Sequence, residues 1–312
     1  MRVVSLLPSA TETLAAIGAA DLLVGRSHEC DWPASIADRP VLTAQRVDPD
    51  ASSAEIDRQV HEQFESGGAT SLYTIDEARL RALEPDLILT QDLCEVCSID
   101  LNTVRRIAAD LSPTPEIVSL NPTSLEEVFD DLLRVGEAVD RPDDAKRAMV
   151  ELRERYFSAK DHVNAYMTGP EVAFLEWIDP IFVGGHWTPQ LIEAAGGTHS
   201  LNPPGAKSRA VEPLELVEAQ PEWLVVAPCG MTLERVAREL DEIIPASRWW
   251  NTLPAVADGR VALVDGSAMF NRPGPRLVDA FEWLVGWLHD RPDLIPVDFP
   301  WRPLAGAPRM ID

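Results

Sequence analysis

The sequence predicts an α/β protein of two similarly built lobes, each carrying a parallel sheet, with a helical connector between them. Three observations lead there. Short apolar runs of strand length alternate with stretches of helical spacing, the arrangement that buries a parallel sheet between layers of helices. The segment Ala82-Leu-Glu-Pro-Asp-Leu-Ile-Leu89 parallels Glu218-Ala-Gln-Pro-Glu-Trp-Leu-Val225: helix end, proline turn, acid, buried strand, with a cysteine downstream in each copy, Cys94 and Cys229. Between the copies, residues 124–162 exchange this texture for a mostly polar helical one. At 312 residues, 46% of them hydrophobic, the chain is long enough for two cores.

The elements follow in order. Val3 to Leu7 reads as the first buried strand. Ser9-Ala-Thr-Glu12 has the form of a capping box, with Leu14 and Ile17 at helical spacing and Gly18 as the stop. Leu22 to Gly25 is the second strand. The pattern predicts a helix over Ile75–Leu83, a turn at Glu84-Pro-Asp86, a strand over Leu87–Thr90, and a last strand of the first lobe at Ile117–Leu120. Ser124-Leu-Glu-Glu127 repeats the capping-box form before Leu125, Val128, Leu132, Val135 and Val139, and Arg141-Pro-Asp-Asp144 restarts a charged helix that runs to about His162. Alternation resumes with strand Val172–Leu175, helix Pro189–Ala195 stopped by Gly196-Gly197, helix Leu214–Ala219, and strands Leu224–Ala227 and Val261–Val264. A closing helix carries Leu277, Phe281, Trp283, Leu284, Trp287 and Leu288; Trp283 and Trp287, four apart, are expected in the core. The domain reading is residues 1–122, a connector 123–164, a second lobe 165–298 and a tail 299–312.

Composition excludes several classes of function. Asp and Glu number 51 against 27 Lys and Arg, a net charge of -24, which has the wrong sign for nucleic acid or an anionic membrane surface. Nothing approaches the roughly 18 uninterrupted apolar residues of a membrane span. Residues 1–8 lack a secretory h-region and cleavage site and pass directly into a strand, so the expected location is cytoplasmic, or periplasmic or extracellular if a leader has been removed. GxxxxGK[ST], a GxGxxG after the first strand, HExxH and GxSxG are all absent, so no catalyst is predicted.

Ligands of parallel α/β sheets sit beyond the carboxyl ends of the strands. The residues that follow the expected strands are therefore the site candidates: Ser9 and Thr11; Ser27, His28 and Glu29; Gln91 and Asp92; Trp177, His186 and Trp187; and Phe270 and Arg272. Ser9 and Thr11 lie where a helix N-terminus offers unpaired N–H groups. Trp177, Trp187 and Phe270 would line a cleft for a flat ligand, His186 sits in an exposed-looking glycine turn, and Arg272 would meet an acidic group. All four cysteines, Cys30, Cys94, Cys97 and Cys229, fall on the same loops. The Cys94-Glu-Val-Cys97 spacing lets two thiolates reach one metal, with Cys30 and His28 able to complete a tetrahedral set; inert packed thiols and a redox dithiol are the alternatives.

Taken together, Arg2-Val-Val-Ser-Leu-Leu-Pro-Ser-Ala-Thr-Glu12, Leu83-Glu-Pro-Asp-Leu-Ile-Leu89, the connector helix, Ala194-Ala-Gly-Gly197 and Leu253-Pro-Ala-Val-Ala-Asp-Gly-Arg-Val-Ala-Leu-Val-Asp265 resemble the cobalamin- and iron-siderophore-binding proteins of ABC importers. That resemblance covers nearly the whole chain and comes nearest to the cobalamin-binding branch. It implies two Rossmann-like lobes joined by a single long helix, a ligand cleft between them that closes little, and capture of a corrinoid-like or other metal-chelate ligand. Pro8 to Thr11, the loops after Gly25 and Thr90, Trp187 and Phe270 to Arg272 would face that ligand, with His28 or a cysteine as a metal donor. The resemblance also implies an ABC permease as partner, yet the positions aligned with the family's docking glutamates fall near Ala78 and Leu214, with Glu77 and Glu215 only adjacent. The Ser27-His-Glu-Cys30 and Asp92-Leu-Cys-Glu-Val-Cys97 loops depart from the transport pattern. The competing reading is a cytosolic zinc or iron-sulfur centre, or an enzyme built on one, that uses Cys30, Cys94, Cys97 and Cys229 on the same fold.

Overall fold

The computed structural model describes residues 1–65, 71–92 and 99–304. Contacts divide the chain into two units, one of residues 1–51, 55–122 and 126–152, the other of 52–54, 123–125 and 153–312. In chain order the first contains β1 (Val3–Ser5), α1 (Pro8–Ala16), β2 (Leu23–Arg26), β3 (Thr43–Gln45), all but the first two residues of α2 (Ser53–Glu65), β4 (Tyr73–Ile75), α3 (Glu77–Ala82), β5 (Leu87–Thr90), α4 (Leu101–Ala109), β6 (Glu116–Ser119), all but the first residue of α5 (Leu125–Ala138) and the start of α6 (Pro142–Lys160). The boundary with the second unit falls inside α6.

Among the described residues, β2, β1, β5 and β6 form a sheet in that order, parallel throughout, with Val3 opposite both Leu23 and Leu87. Its central strands are buried on both faces, and Val4, Ile88, Leu80, Val104 and Ile107 close one core. Helix α4 faces that core with Leu101, Val104 and Ile107, and Asp100 caps it by accepting from the Thr103 N–H at 3.0 Å. Helices α5 and α6 meet so closely that a Cβ on Gly136 would lie 2.2 Å from the Ala145 Cβ. A separate antiparallel ribbon pairs β3 with β4, Thr43 opposite Ile75.

Two local expectations are corrected here. The first helix begins at Pro8, not behind a Ser9 cap: Leu7 is the N-cap residue and gives no side-chain cap. Proline at the first helical position brings its φ preset and lacks only an N–H that would have been orphaned, so it starts the helix one residue ahead of the serine. Ile75 ends a strand instead of opening a helix, and Asp76 caps α3 through the Arg79 N–H at 2.9 Å.

The second unit adds β7 (Val172–Trp177), β8 (Phe182–Val183), α7 (Thr188–Ala194), β9 (Arg209–Ala210), α8 (Pro213–Ala219), β10 (Trp223–Val226), α9 (Leu233–Ile243), α10 (Pro254–Ala257), β11 (Val261–Val264), α11 (Leu277–Leu288) and β12 (Trp301–Pro303). Strands β11, β10 and β7 are parallel; β12 flanks them antiparallel on one side, and β8 and β9 on the other. Residues 301–303, within the expected tail, thus supply an edge strand. Trp283 is fully buried, stacked between Trp287 at 5.2 Å and Phe299 at 5.1 Å, while Trp287 is half-buried. No described helix is long and apolar enough to cross a membrane.

Candidate functional site

In the first unit the carboxyl edge of the sheet gathers Thr11, Ser27, His28, Glu29 and Cys30. Strand β2 ends at Arg26, whose guanidinium donates to the Cys30 carbonyl at 2.8 Å and the Ser27 carbonyl at 3.3 Å, folding residues 27–30 back on the strand end. Ser27 and Cys30 are buried there. The Thr11 hydroxyl, on the inner face of α1, donates to Cys30 Sγ at 3.1 Å. Ser9, the second residue of the same helix, is buried, and its carbonyl accepts from the Thr13 hydroxyl at 2.9 Å.

His28 is the centre of this cluster. Its backbone N–H donates to Thr43 Oγ1 at 3.0 Å, its Nδ1 lies 2.6 Å from the same oxygen, and Thr43 Oγ1 donates to Ser27 Oγ at 3.1 Å. The Tyr73 ring packs against the imidazole with centroids 5.1 Å apart, and its hydroxyl donates to Glu29 Oε1 at 2.8 Å. Burial pushes the imidazole below its ordinary pKa, opposed by the Glu29 carboxylate, so a neutral ring is favoured at pH 7. Its Nε2 is buried with no hydrogen-bond partner among the described residues.

Thr43 and Tyr73 escaped the sequence reading. They come from the β3–β4 ribbon, whose three-residue strands show no readable period, and their meeting with the β2 loop spans 15 and 45 positions. Gln91 is half-buried and Asp92 exposed at the end of β5; Asp92 is tied to the β6 end by its N–H donating to Asn121 Oδ1 at 2.6 Å. The sequence-predicted ligands Cys94 and Cys97 lie outside the described residues.

The second unit builds its edge differently. Trp177 closes β7, half-buried, its indole N–H donating to the Ser53 carbonyl at 3.3 Å. Phe270 is 1% exposed and Trp187 6%; the Trp187 indole N–H donates to the Phe270 carbonyl at 2.6 Å, and the Phe270 ring packs on Phe174 at 5.0 Å. Both rings are thus packed in the core under the loops where the sequence placed them. His186, expected in an exposed turn, is half-buried instead, stacked on Trp187 at 5.6 Å with its N–H bonded to the Ala206 carbonyl. Burial, then the Lys207 charge, lowers its pKa. The turn is compact because Gly185 lies against residues 206–208, where a Cβ would come within 2.3 Å of the Ser208 nitrogen. Glu176, which the sequence reading missed, tightens it further by accepting from the Ser208 hydroxyl at 2.8 Å. Arg272 is buried, and its charge draws on Asp265, whose carboxyl is raised by burial and restrained by N–H bonds from Ala268 and Leu233. Cys229 is half-buried, held by its N–H to the Glu176 carbonyl at 3.1 Å.

Cys30 belongs to the first unit and Cys229 to the second, and among the described residues no group of three or more His, Cys, Asp and Glu is gathered to hold a metal ion. The two glutamates nearest the expected docking positions each engage arginines: Glu77 receives Arg106 at 2.7 Å and Arg81 at 3.0 Å, and Glu215 closes a capping box with Glu212 and receives Arg209 at 3.0 Å. Those partners hold both carboxyls below the usual range. Leu214, beside Glu215, is exposed.

A family model described as periplasmic binding protein matches residues 3–268. The vitamin B12-binding protein of Photorhabdus laumondii is 25% identical over 293 residues, covering 93% of this chain and 88% of the relative. That of Vibrio parahaemolyticus is 23% identical over 283 residues, 89% and 86% of the two chains. Among solved structures, a periplasmic heme-binding protein from Pseudomonas aeruginosa superposes with a TM-score of 0.74 at 18% identity, covering 98% of this chain and 99% of its own. The periplasmic vitamin B12-binding protein of Vibrio cholerae gives 0.67 at 18% identity, covering 93% and 97%. At that identity these structures establish a shared fold. The cytoplasmic expectation finds no support in any of them.

Proposed function

The chain belongs to the periplasmic binding protein family, a family of binding proteins and not of enzymes, and from that premise we propose that it captures a corrinoid or closely related metal-chelate macrocycle and delivers it to an ABC permease, working outside the cytoplasmic membrane. Two curated relatives spanning most of the chain are named vitamin B12-binding proteins, which supports the corrinoid over other chelates. The observation that carries the reading is His28: a neutral imidazole at the carboxyl edge of a parallel sheet, with a buried, unpartnered Nε2. Nε2 of a neutral histidine is a common metal donor, and an unpaired buried polar atom costs free energy that a ligand can recover. In this reading Glu29, Gln91 and Asp92 take the polar periphery of the ligand in the first unit. Trp177, His186 and Arg272 are the second unit's own candidates for ligand contact, their loops supported from beneath by Trp187 and Phe270. Ser9, Thr11, Ser27 and Cys30 shape the wall behind His28. Charge agrees with a ligand that is not a polyanion, since the chain carries -24.

Titration of the purified protein with cyanocobalamin, dicyanocobinamide and hemin, followed by visible absorbance and equilibrium dialysis, tests the proposal. The expected result is saturable uptake of a corrinoid. Saturable uptake of hemin alone reassigns the macrocycle, and retention of none of the three overturns the reading.

A further inference from the structure

Beyond the choice of ligand, and resting on the reading of His28 as its metal donor, we propose that Thr43 is a positioning residue that locks His28 in the Nδ1–H tautomer and so leaves the Nε2 lone pair as the atom offered to the metal.

The assignment follows from one hydroxyl and its neighbours. Thr43 Oγ1 has one proton and two lone pairs. The His28 backbone N–H occupies one lone pair at 3.0 Å, and the proton goes to Ser27 Oγ at 3.1 Å. With the Thr43 proton on the Ser27 side, the 2.6 Å contact with Nδ1 falls to the remaining lone pair and Nδ1 is the donor; with Ser27 donating to Thr43 instead, Nδ1 would accept, so the choice between the two is made at Nε2. The reverse tautomer would place an N–H on Nε2, a buried atom without a partner among the described residues. Orphaned buried N–H donors are rarer in folded proteins than orphaned acceptors, and each costs about 1–3 kcal/mol. The lock is built, because Thr43 is itself buried and fixed on β3 opposite Ile75, while Tyr73, two residues earlier on β4, packs on the imidazole. The backbone N–H and Nδ1 of His28 are thus held by the ribbon, with the Tyr73 ring tilted against the imidazole, and Nε2 is the part left over.

Ligation would be a simple exchange: the Nε2 lone pair forms the bond to the metal as an axial water leaves, with no change of oxidation state. Outer partners that fix a ligating histidine are typically worth 10–100-fold in metal affinity.

The test uses aquacobinamide, whose axial water exchanges, with wild type, Thr43→Ser, Thr43→Val and His28→Gln, each checked for folding by circular dichroism. First, ¹⁵N NMR of the ligand-free protein reads the tautomer: the Nδ1–H form is expected in wild type and Thr43→Ser, and its loss in Thr43→Val. An Nε2–H tautomer in wild type overturns the inference. Second, uptake should shift the visible bands in wild type and Thr43→Ser, and Thr43→Val should bind about 10–100-fold more weakly. If wild type and Thr43→Val bind equally, or wild type binds without a band shift that His28→Gln abolishes, the inference falls while the corrinoid reading stands. If wild type takes up neither aquacobinamide nor the corrinoids named above, both fall together.

Discussion

Asp131 should make the protein less stable at neutral than at acid pH. It lies on α5, 6% exposed, with Oδ1 accepting from the Arg134 guanidinium at 2.8 Å and Oδ2 buried without a partner among the described residues. Burial raises its pKa to about 6; Arg134 opposes that, and Glu127 and Asp130 add to it. The unfolded chain titrates near 3.8, so the folded state binds the proton more tightly. By linkage the group costs nothing below about pH 4, and its cost grows as pH rises through the interval to 6 and then levels off, reaching about 3 kcal/mol at about 1.4 kcal/mol per pH unit. Asp131→Asn removes the titration and keeps an oxygen for Arg134. Urea unfolding of both proteins at pH 4.5 and 7.5 reads the effect. The stability of the variant relative to wild type is expected to increase by about 2 kcal/mol from the lower to the higher pH, the portion of the cost that develops over that interval. A difference that stays constant with pH, or that shrinks as pH rises, refutes the burial argument.

Two further outcomes probe the second unit. Gly185→Ala forces a Cβ to within 2.3 Å of the Ser208 nitrogen and 2.6 Å of the Ala206 carbonyl oxygen, both backbone atoms, so thermal or urea unfolding should show a loss of about 1–3 kcal/mol and the His186 resonances should move; an unperturbed variant would mean the turn is loose. Trp187→Phe keeps an aromatic six-membered ring but deletes the N–H given to the Phe270 carbonyl together with part of the buried indole, so urea unfolding should show a loss of at least the roughly 1–3 kcal/mol that the unpaired acceptor costs by itself; a change within error would show that the site repacks and water reaches that carbonyl.

How much of this was legible depends on whether the cause is local. Leu87–Thr90 and Val261–Val264 are strands over the residues the pattern marked, because a strand buried on both faces leaves an uninterrupted apolar run. Strands β8, β9 and β12 were not, since two or three residues set no period and β9 is exposed. The capping-box pattern at Ser9 was outcompeted by one neighbour, Pro8. At the site the loops after β2 and β7 were visible as strand ends, and His28 with them. Thr43 was not, because a lone threonine on a short ribbon gains its meaning only from the pairing that brings it to His28, and that pairing is long-range.

The repeated segment was legible for a reason the structure makes physical. In the first copy Glu84 takes a left-handed conformation (φ 42°) before Pro85, and the N–H groups of Asp86 and Leu87 both donate to the Arg2 carbonyl at 2.8 and 3.2 Å. The Asp86 carboxylate accepts the Arg2 N–H in return, at 2.7 Å. In the second copy Gln220 is left-handed (φ 48°) before Pro221, and Glu222 and Trp223 donate to the Glu171 carbonyl at 2.9 and 3.1 Å. There the Glu222 carboxylate accepts the Glu171 N–H at 3.3 Å. Arg2 and Glu171 each immediately precede a central strand, so turn, proline and acid form a clamp that sets the same register twice: Val3 opposite Leu87, Val172 opposite Trp223. A one-residue slip would turn every buried side chain of the incoming strand to the wrong face. The clamp fixes which strand end each downstream loop leaves from, and it is therefore the shared scaffold on which the two units carry different loops: Gln91-Asp92 after β5 in one, Pro228-Cys229 after β10 in the other.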